Sequence, residues 1–258
     1  IKEFTRKWTP QQNHNLSVTG GSKKTTYNIS LSYLNQTGVM KYNSDQYDRY
    51  TLHSSITSSI RDWWKVRANV LFTRTKNDEP YRFTSGQYDA WFYLLRWPRW
   101  YPYATYQGKP FRSAVTDIKH GNRENTTTTY VRTNLGTEIT PMKNLSINFD
   151  YTFSFTNDAR KLNGGTVYAY DMFASAPFSS YTNLYGLWHN MVEQSSQYTL
   201  QNIFKGYATY MFDVAEQHHF KVMAGFDAET REAFSHYSER QKLYSEKFPE
   251  IAMTYGDQ

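Results

Sequence analysis

The chain has no cysteine among its 258 residues. Disulfides and thiolate chemistry are therefore excluded, and the absence suits an oxidising compartment, although many cytosolic chains share it. No stretch of about eighteen consecutive apolar residues occurs, which excludes an ordinary transmembrane helix. A membrane β-barrel stays open: its lipid-facing and lumen-facing residues alternate, so a mean hydropathy of −0.77 is compatible with one fully apolar face. The start, Ile1-Lys2-Glu3-Phe4, lacks an initiating methionine and the basic and apolar segments of a secretory signal, so it is expected to be processed or truncated. Lys and Arg outnumber Asp and Glu to give a net charge of +6, but they form no cluster or stripe, and no nucleic-acid partner is expected.

Catalytic signatures are missing as well. There is no Gly-x-Ser-x-Gly elbow and no His-Glu-x-x-His, and Gly20-Gly21-Ser22-Lys23-Lys24-Thr25 lacks the spacing of a phosphate loop. His218 and His219 are adjacent in or beside a strand, where neighbours point to opposite faces, which is a poor arrangement for chelating one metal. Neither enzymatic activity nor a cofactor is expected. Triplets such as Asn28-Ile29-Ser30 and Asn144-Leu145-Ser146 match glycosylation acceptors but read better as the recurring polar face of strands.

What the sequence does contain is aromatic residues, 18% of the chain, set among Thr, Ser and Asn, a composition of strands and polar turns. In Thr25 to Asn35, Tyr27, Ile29, Leu31 and Tyr33 alternate with Asn28, Ser30 and Ser32, and Asn15 to Thr19 pairs with this run across a short turn at Gly20 to Lys24. The unit returns as Tyr50 to Ile60 and Trp64 to Thr75 around Arg61-Asp62-Trp63. It returns again as Tyr130 to Ile139 and Leu145 to Phe155 around Thr140 to Asn144, and as Tyr198 to Phe212 and His219 to Arg231 around Asp213 to His218. About eight antiparallel strands are thus predicted.

Between hairpins the connections are long: Gln36 to Arg49, Lys76 to Asn125, Thr156 to Gln197, and the tail after Glu232. Strict alternation of short turns with long loops is the asymmetry of transmembrane barrels, whose short turns face the periplasm. If the Gly20-Gly21 turn is periplasmic, the first strand starts outside and the last, ending near Arg231, also runs out. A small self-contained barrel starts and finishes in the periplasm, so the expectation is an interior segment of a larger barrel.

Asn13-His14-Asn15-Leu16-Ser17-Val18-Thr19-Gly20-Gly21-Ser22, followed by the Thr26-Tyr27 to Gly38 run ending Ser32-Tyr33-Leu34-Asn35-Gln36-Thr37-Gly38, resembles SusC/RagA-type TonB-dependent transporters of Bacteroidetes. Further matches in order are Tyr47 to Tyr50, Trp63-Trp64-Lys65-Val66, His218-His219-Phe220 before Ala224-Gly225-Phe226, and Arg240-Gln241-Lys242-Leu243 with Pro249 and Gly256. The resemblance implies an all-β, antiparallel transmembrane β-barrel segment within a roughly 22-stranded barrel. Residues 1–258 would be an internal part of that barrel, with the N-terminal plug and the C-terminal strands outside them. It further implies an outer-membrane importer of oligosaccharides or peptides, energised by TonB through the plug and covered by a SusD-like surface lipoprotein. Two other classes stay open from the residues alone: a soluble or surface β-rich glycan-binding module, and an outer-membrane enzyme, which the missing nucleophile constellation disfavours.

Two sets of residues carry the functional expectations. Lys65, Arg67, Asn148, Asp150, Lys221 and Asp227 fall on the polar side of their strands and would line a wet lumen, while Trp63, Trp64, Tyr33, Tyr50, Phe155 and Tyr198 suit interfacial girdles. The stretch Tyr88 to Phe111 holds Trp91, Phe92, Tyr93, Trp97, Trp100, Tyr101, Tyr103 and Tyr106 with Arg96 and Arg99. Such rings can contact substrate or a lid protein, or pack the loop onto itself and the barrel mouth.

Overall fold

The structure is a computed structural model that describes residues 4–80, 96–172, 174, 178–180, 189–215 and 217–256. In chain order its strands are β1 (Gln11–Gly21), β2 (Thr25–Thr37), β3 (Gln46–Arg61), β4 (Trp64–Pro80), the short β5 (Thr105–Tyr106) and β6 (Lys109–Pro110), β7 (Arg123–Met142), β8 (Leu145–Gly164), the short β9 (Tyr168–Tyr170) and β10 (Phe178–Ser180), β11 (Met191–Val214) and β12 (His218–Gln241). One helix, α1 (Ala114–His120), precedes β7, and a 3-10 turn covers Ile251–Met253. The eight long strands form a single sheet in the order β1-β2-β3-β4-β7-β8-β11-β12, each antiparallel to its neighbours. The fold is an all-β barrel-wall segment, and among the described residues the sheet stays open at β1 and β12. No described helix is long and apolar enough to cross a membrane.

Register fixes which residues share a face, because partners across a ladder point the same way. One row runs Tyr27, Ile56, Ala68, Leu135, Tyr151, Phe204 and Ala228. Another runs Leu31, Leu52, Phe72, Val131, Phe155 and Leu200, and ends on β12 at Glu232. This face is mostly apolar, with Ser54, Thr133, Asn202 and Thr230 in the row between, and no layer among the described residues covers it: Leu16, Val222 and Phe226 are all more than half exposed. Aromatic rings gather at its two margins. Toward the long loops Tyr33 lies 4.9 Å from Tyr50, and Tyr198 lies 5.6 Å from Phe234; toward the turns Trp63 stacks on Trp64 at 6.2 Å, and Phe212 on Phe220 at 5.3 Å.

The strands are longer than their alternation predicts. β12 holds 24 residues, or about 80 Å at ~3.3 Å each, yet its unbroken apolar alternation covers only Phe220 to Ala228, with Phe234 alone at the margin beyond. On the same face β4 continues with Arg74, Lys76 and Asp78, and β8 with Asn157 and Lys161, so the ladder runs on with both faces polar. The expected long connections contract accordingly, to 38–45, 81–122 and 165–190, and the tail begins at 242. The turns at the other end are short: 22–24, 62–63, 143–144 and 215–217.

The opposite face is a hydrogen-bonded polar surface. Lys65 sits 4.0 Å from Glu138, Lys205 3.1 Å from Asp227, and Asn134 donates to Thr152 at 2.9 Å. Arg67 pairs with Asp150 at 3.3 Å although β7 lies between their strands. The residue beneath the pair is Gly136, in register with both, and a Cβ there would stand 2.4 Å from Asp150 Oδ1 and 3.0 Å from Arg67 Nε. The absent side chain is what lets the pair close. Gly136→Ala is expected to break the pair while costing only about 1 kcal/mol, because both charges are partly exposed and water replaces the partner; a double-mutant cycle with Asp150→Asn would show the coupling vanish.

Candidate functional site

The buried core of the described residues lies among the long loops and at the loop-side ends of β8 and β11, where Leu162, Met191 and Val192 are buried. Phe4, Met40, Phe111, Val115, Ile118 and Leu243 are all under a tenth exposed, and they come from four segments that the chain separates widely. α1 supplies Ala114, Val115 and Ile118, with Ser113 as its N-cap accepting from the Thr116 amide. Phe4 packs edge-on against Tyr42 and Tyr103 at 5.8 and 5.4 Å, and Lys119 lies over the Tyr42 ring at 4.2 Å. Arg123 reaches back from β7 to Asp78 at 2.8 Å, to the Ser44 carbonyl, and to the Asn43 side chain. The loops thus form a folded cap.

Polar groups tie the cap to the strand ends. His189, fully buried, places Nδ1 3.1 Å from Asn122 Oδ1 and Nε2 3.2 Å from Asp117 Oδ1, joining the start of β11 to the end of α1. Arg160 pairs with Glu124 at 2.6 Å and also with Glu193, linking β7, β8 and β11. In the tail Glu250 accepts from Lys161 Nζ at 2.5 Å and from Gln194 at 3.0 Å, and the Lys161 bond holds its carboxyl below the ordinary range. A depressed carboxyl contributes stability above its unfolded value and loses it as pH falls through the folded one. Tail docking is therefore expected to weaken as pH drops below about 4, and Lys161→Gln should flatten that dependence; amide exchange of 243–256 against pH checks it.

Within the cap lies a cavity of about 640 Å³. Loop 96–122 gives it Trp100, Tyr101, Tyr106 and Phe111, and the next long loop gives it Tyr170 and Met172. A two-residue turn at Gln107 and Gly108, both with positive φ, joins β5 to β6 and brings Tyr106 back over the site; this is the tight hairpin turn that glycine makes cheap. Tyr106 meets Tyr170 edge-on at 5.4 Å, and the loops are joined by the Phe111–Tyr170 bridge and by Arg112 Nη1 to Asp171 Oδ2 at 2.6 Å.

Among the aromatic-loop residues expected to matter, Trp100 and Tyr101 line the cavity, and Trp100 is 80% exposed. Trp97 turns aside, its indole donating to the Pro102 carbonyl at 3.1 Å, and Tyr103 packs on Phe4. Trp97 packs the loop on itself, and Tyr103 packs it on the N-terminal segment. Arg96 and Arg99 are exposed, and neither lines the cavity. Trp91 and Tyr93 lie outside the described residues. Sequence reasoning missed Tyr170, Asp171 and Met172, because a Tyr-x-Tyr in a polar loop gives no sign that it faces a loop some sixty positions away. Lys65, Arg67, Asn148, Asp150, Lys221 and Asp227 share the polar face. They lie on the sheet wall, while the cavity belongs to the loops. Among the described residues no group of three or more His, Asp or Glu side chains is placed to hold a metal; His219 instead pairs with Asp213 at 2.6 Å.

No family model matches the sequence, and no curated protein matches it. Among solved structures it is similar to a chain of the RagAB peptide importer in the closed-closed state, with a TM-score of 0.73 at 19% identity over 96% of this chain and 27% of that one. The open-open state of the same importer gives 0.73 at 18% identity, and a structure of the RagAB peptide transporter 0.73 at 19%, with the same coverages. The shared fold is what these values establish. The chain spans 27% of the length of the proteins it matches.

Proposed function

We propose that this chain is an internal part of the barrel domain of a TonB-dependent outer-membrane importer of the SusC/RagA type. The observation that carries the proposal is the mostly apolar face, bare among the described residues, bounded by two aromatic margins and about 9–11 residues tall on β4, β8 and β12. A soluble glycan-binding module would leave that face in water, far beyond the apolar patch a soluble monomer tolerates. On this reading the apolar face meets lipid, the polar face lines the lumen, the short turns are periplasmic and the cap is extracellular. The cargo is an oligosaccharide or peptide, a SusD-like lipoprotein covers the cap, and TonB acts through a plug outside these residues. The cap and polar face bind and pass cargo without chemistry on it.

The fold shared with a peptide importer supports this assignment. Its test is fractionation and uptake by cells carrying the whole gene product. The expected result is a detergent-requiring outer-membrane protein whose uptake of labelled peptides or oligosaccharides stops when TonB is removed. Recovery in the soluble fraction, or uptake indifferent to TonB, contradicts it.

A further inference from the structure

The cavity in the cap has walls of Trp100, Tyr101, Tyr106, Phe111, Tyr170 and Met172, contributed by two loops. Its rings do not present one flat platform. Tyr106 and Tyr170 meet at 89°, Trp100 and Tyr101 at 65°, and Tyr101 tilts by 35° to Phe111. A sugar ring needs a flat ring face flanked by polar groups that take up its hydroxyls. Here two of the polar groups at the lining are engaged with the protein itself: Gln107 Oε1 accepts from the Tyr170 hydroxyl at 3.2 Å, and Asp171 is held by Arg112 at 2.6 Å. Sugar hydroxyls set against these two groups would lose water and have to compete for partners already bonded.

A charged group fares no better. The Arg112–Asp171 pair brings one charge of each sign to the cavity margin, so neither a cation nor an anion finds an uncompensated counter-charge there. What fits is an uncharged apolar group that meets ring edges and faces from several directions, with Met172 as an adaptable wall. Trp100 and Met172, 80% and 58% exposed, are apolar surface that such a group would cover.

We propose that this cavity is a subsite for an uncharged apolar side chain, aromatic or branched aliphatic, carried by a peptide. The inference rests on the importer reading, and it narrows the open choice between oligosaccharide and peptide at this one place. The Tyr106 and Tyr170 rings close around the side chain, while the Arg112–Asp171 pair holds the two loops at the spacing the side chain needs.

The test is calorimetric titration of the whole gene product in detergent with tripeptides that have glycine at both ends and phenylalanine, leucine, glycine or aspartate at the centre, and with a linear maltooligosaccharide. Phenylalanine or leucine should bind about tenfold or more tighter than glycine or aspartate. Tyr106→Ala should erase that preference, Met172→Glu should reduce it, and Tyr244→Ala, a substitution of an exposed tail aromatic outside the cavity, should leave it intact. Unchanged heat-modifiable migration of the variants shows that the barrel is intact. Equal affinity across the tripeptides, or maltooligosaccharide binding abolished by Tyr106→Ala, overturns the proposal. Either result leaves TonB-dependent uptake standing, whereas uptake indifferent to TonB removes the importer reading whatever the tripeptides do.

Discussion

Ala68→Arg is expected to destabilise the folded wall by about 2–4 kcal/mol, while Asn69→Arg, one residue on, should cost less than about 1 kcal/mol. The asymmetry follows from register. Ala68 lies mid-height in the apolar row with Ile56, Leu135 and Tyr151, where an arginine must either enter the apolar medium or bend away from it. Asn69 points the other way, 3.5 Å from Asn134 on a surface already holding Arg67, Asp150 and Lys205, and an added guanidinium stays hydrated there. Refolding the whole gene product into liposomes across a urea series measures both. Equal costs would mean that both faces see the same medium, and the wall assignment would fail.

Ile118→Ala should act as strongly but elsewhere. Ile118 is 3% exposed in α1, and truncating a buried isoleucine costs about 2–5 kcal/mol. Because the cap buries apolar residues of its own while the wall is held by ladder hydrogen bonds, the loss is expected to be local. Amide exchange should quicken across 98–122 and in the cap-facing segment around His189, while the apolar-band portions of β4, β7 and β8 keep their protection. Loss of protection across the band as well would show the cap and wall to be one cooperative unit.

The sequence carried all eight strands of the wall, but only along the portion where their two faces differ. Leu145 to Phe155 alternates without exception because one of its faces is apolar from end to end, and the strand, its partner and its register follow from that. The alternation vanishes beyond Phe155, yet β8 continues to Gly164. Period-two reading senses the difference between two faces. Where Asn157 and Asp158, on opposite faces, are both polar, the signal disappears although the backbone ladder does not. The short strands and α1 were illegible for a related reason: seven residues with Ile118 and Val115 inward are too few to establish a helical period against a polar background. The cavity was half legible. Trp100 and Tyr101 stood out by composition, but their partners Tyr170 and Asp171 are set beside them only by the Phe111–Tyr170 bridge, a long-range pairing that no local pattern encodes.

The proposal that this sheet is a membrane-spanning wall, apolar outward and polar inward, is open to one direct measurement. The chain has no cysteine, so single cysteines can be placed at each position from 64 to 80 without removing any from these residues, and spin-labelled in the whole gene product in liposomes. The account predicts oxygen accessibility peaking at Trp64, Val66, Ala68, Val70 and Phe72, accessibility to a water-soluble relaxant at the residues between them, and loss of the oxygen peaks from Arg74 onward. Uniform aqueous accessibility from 64 to 80, or oxygen peaks at the alternate positions, would contradict it.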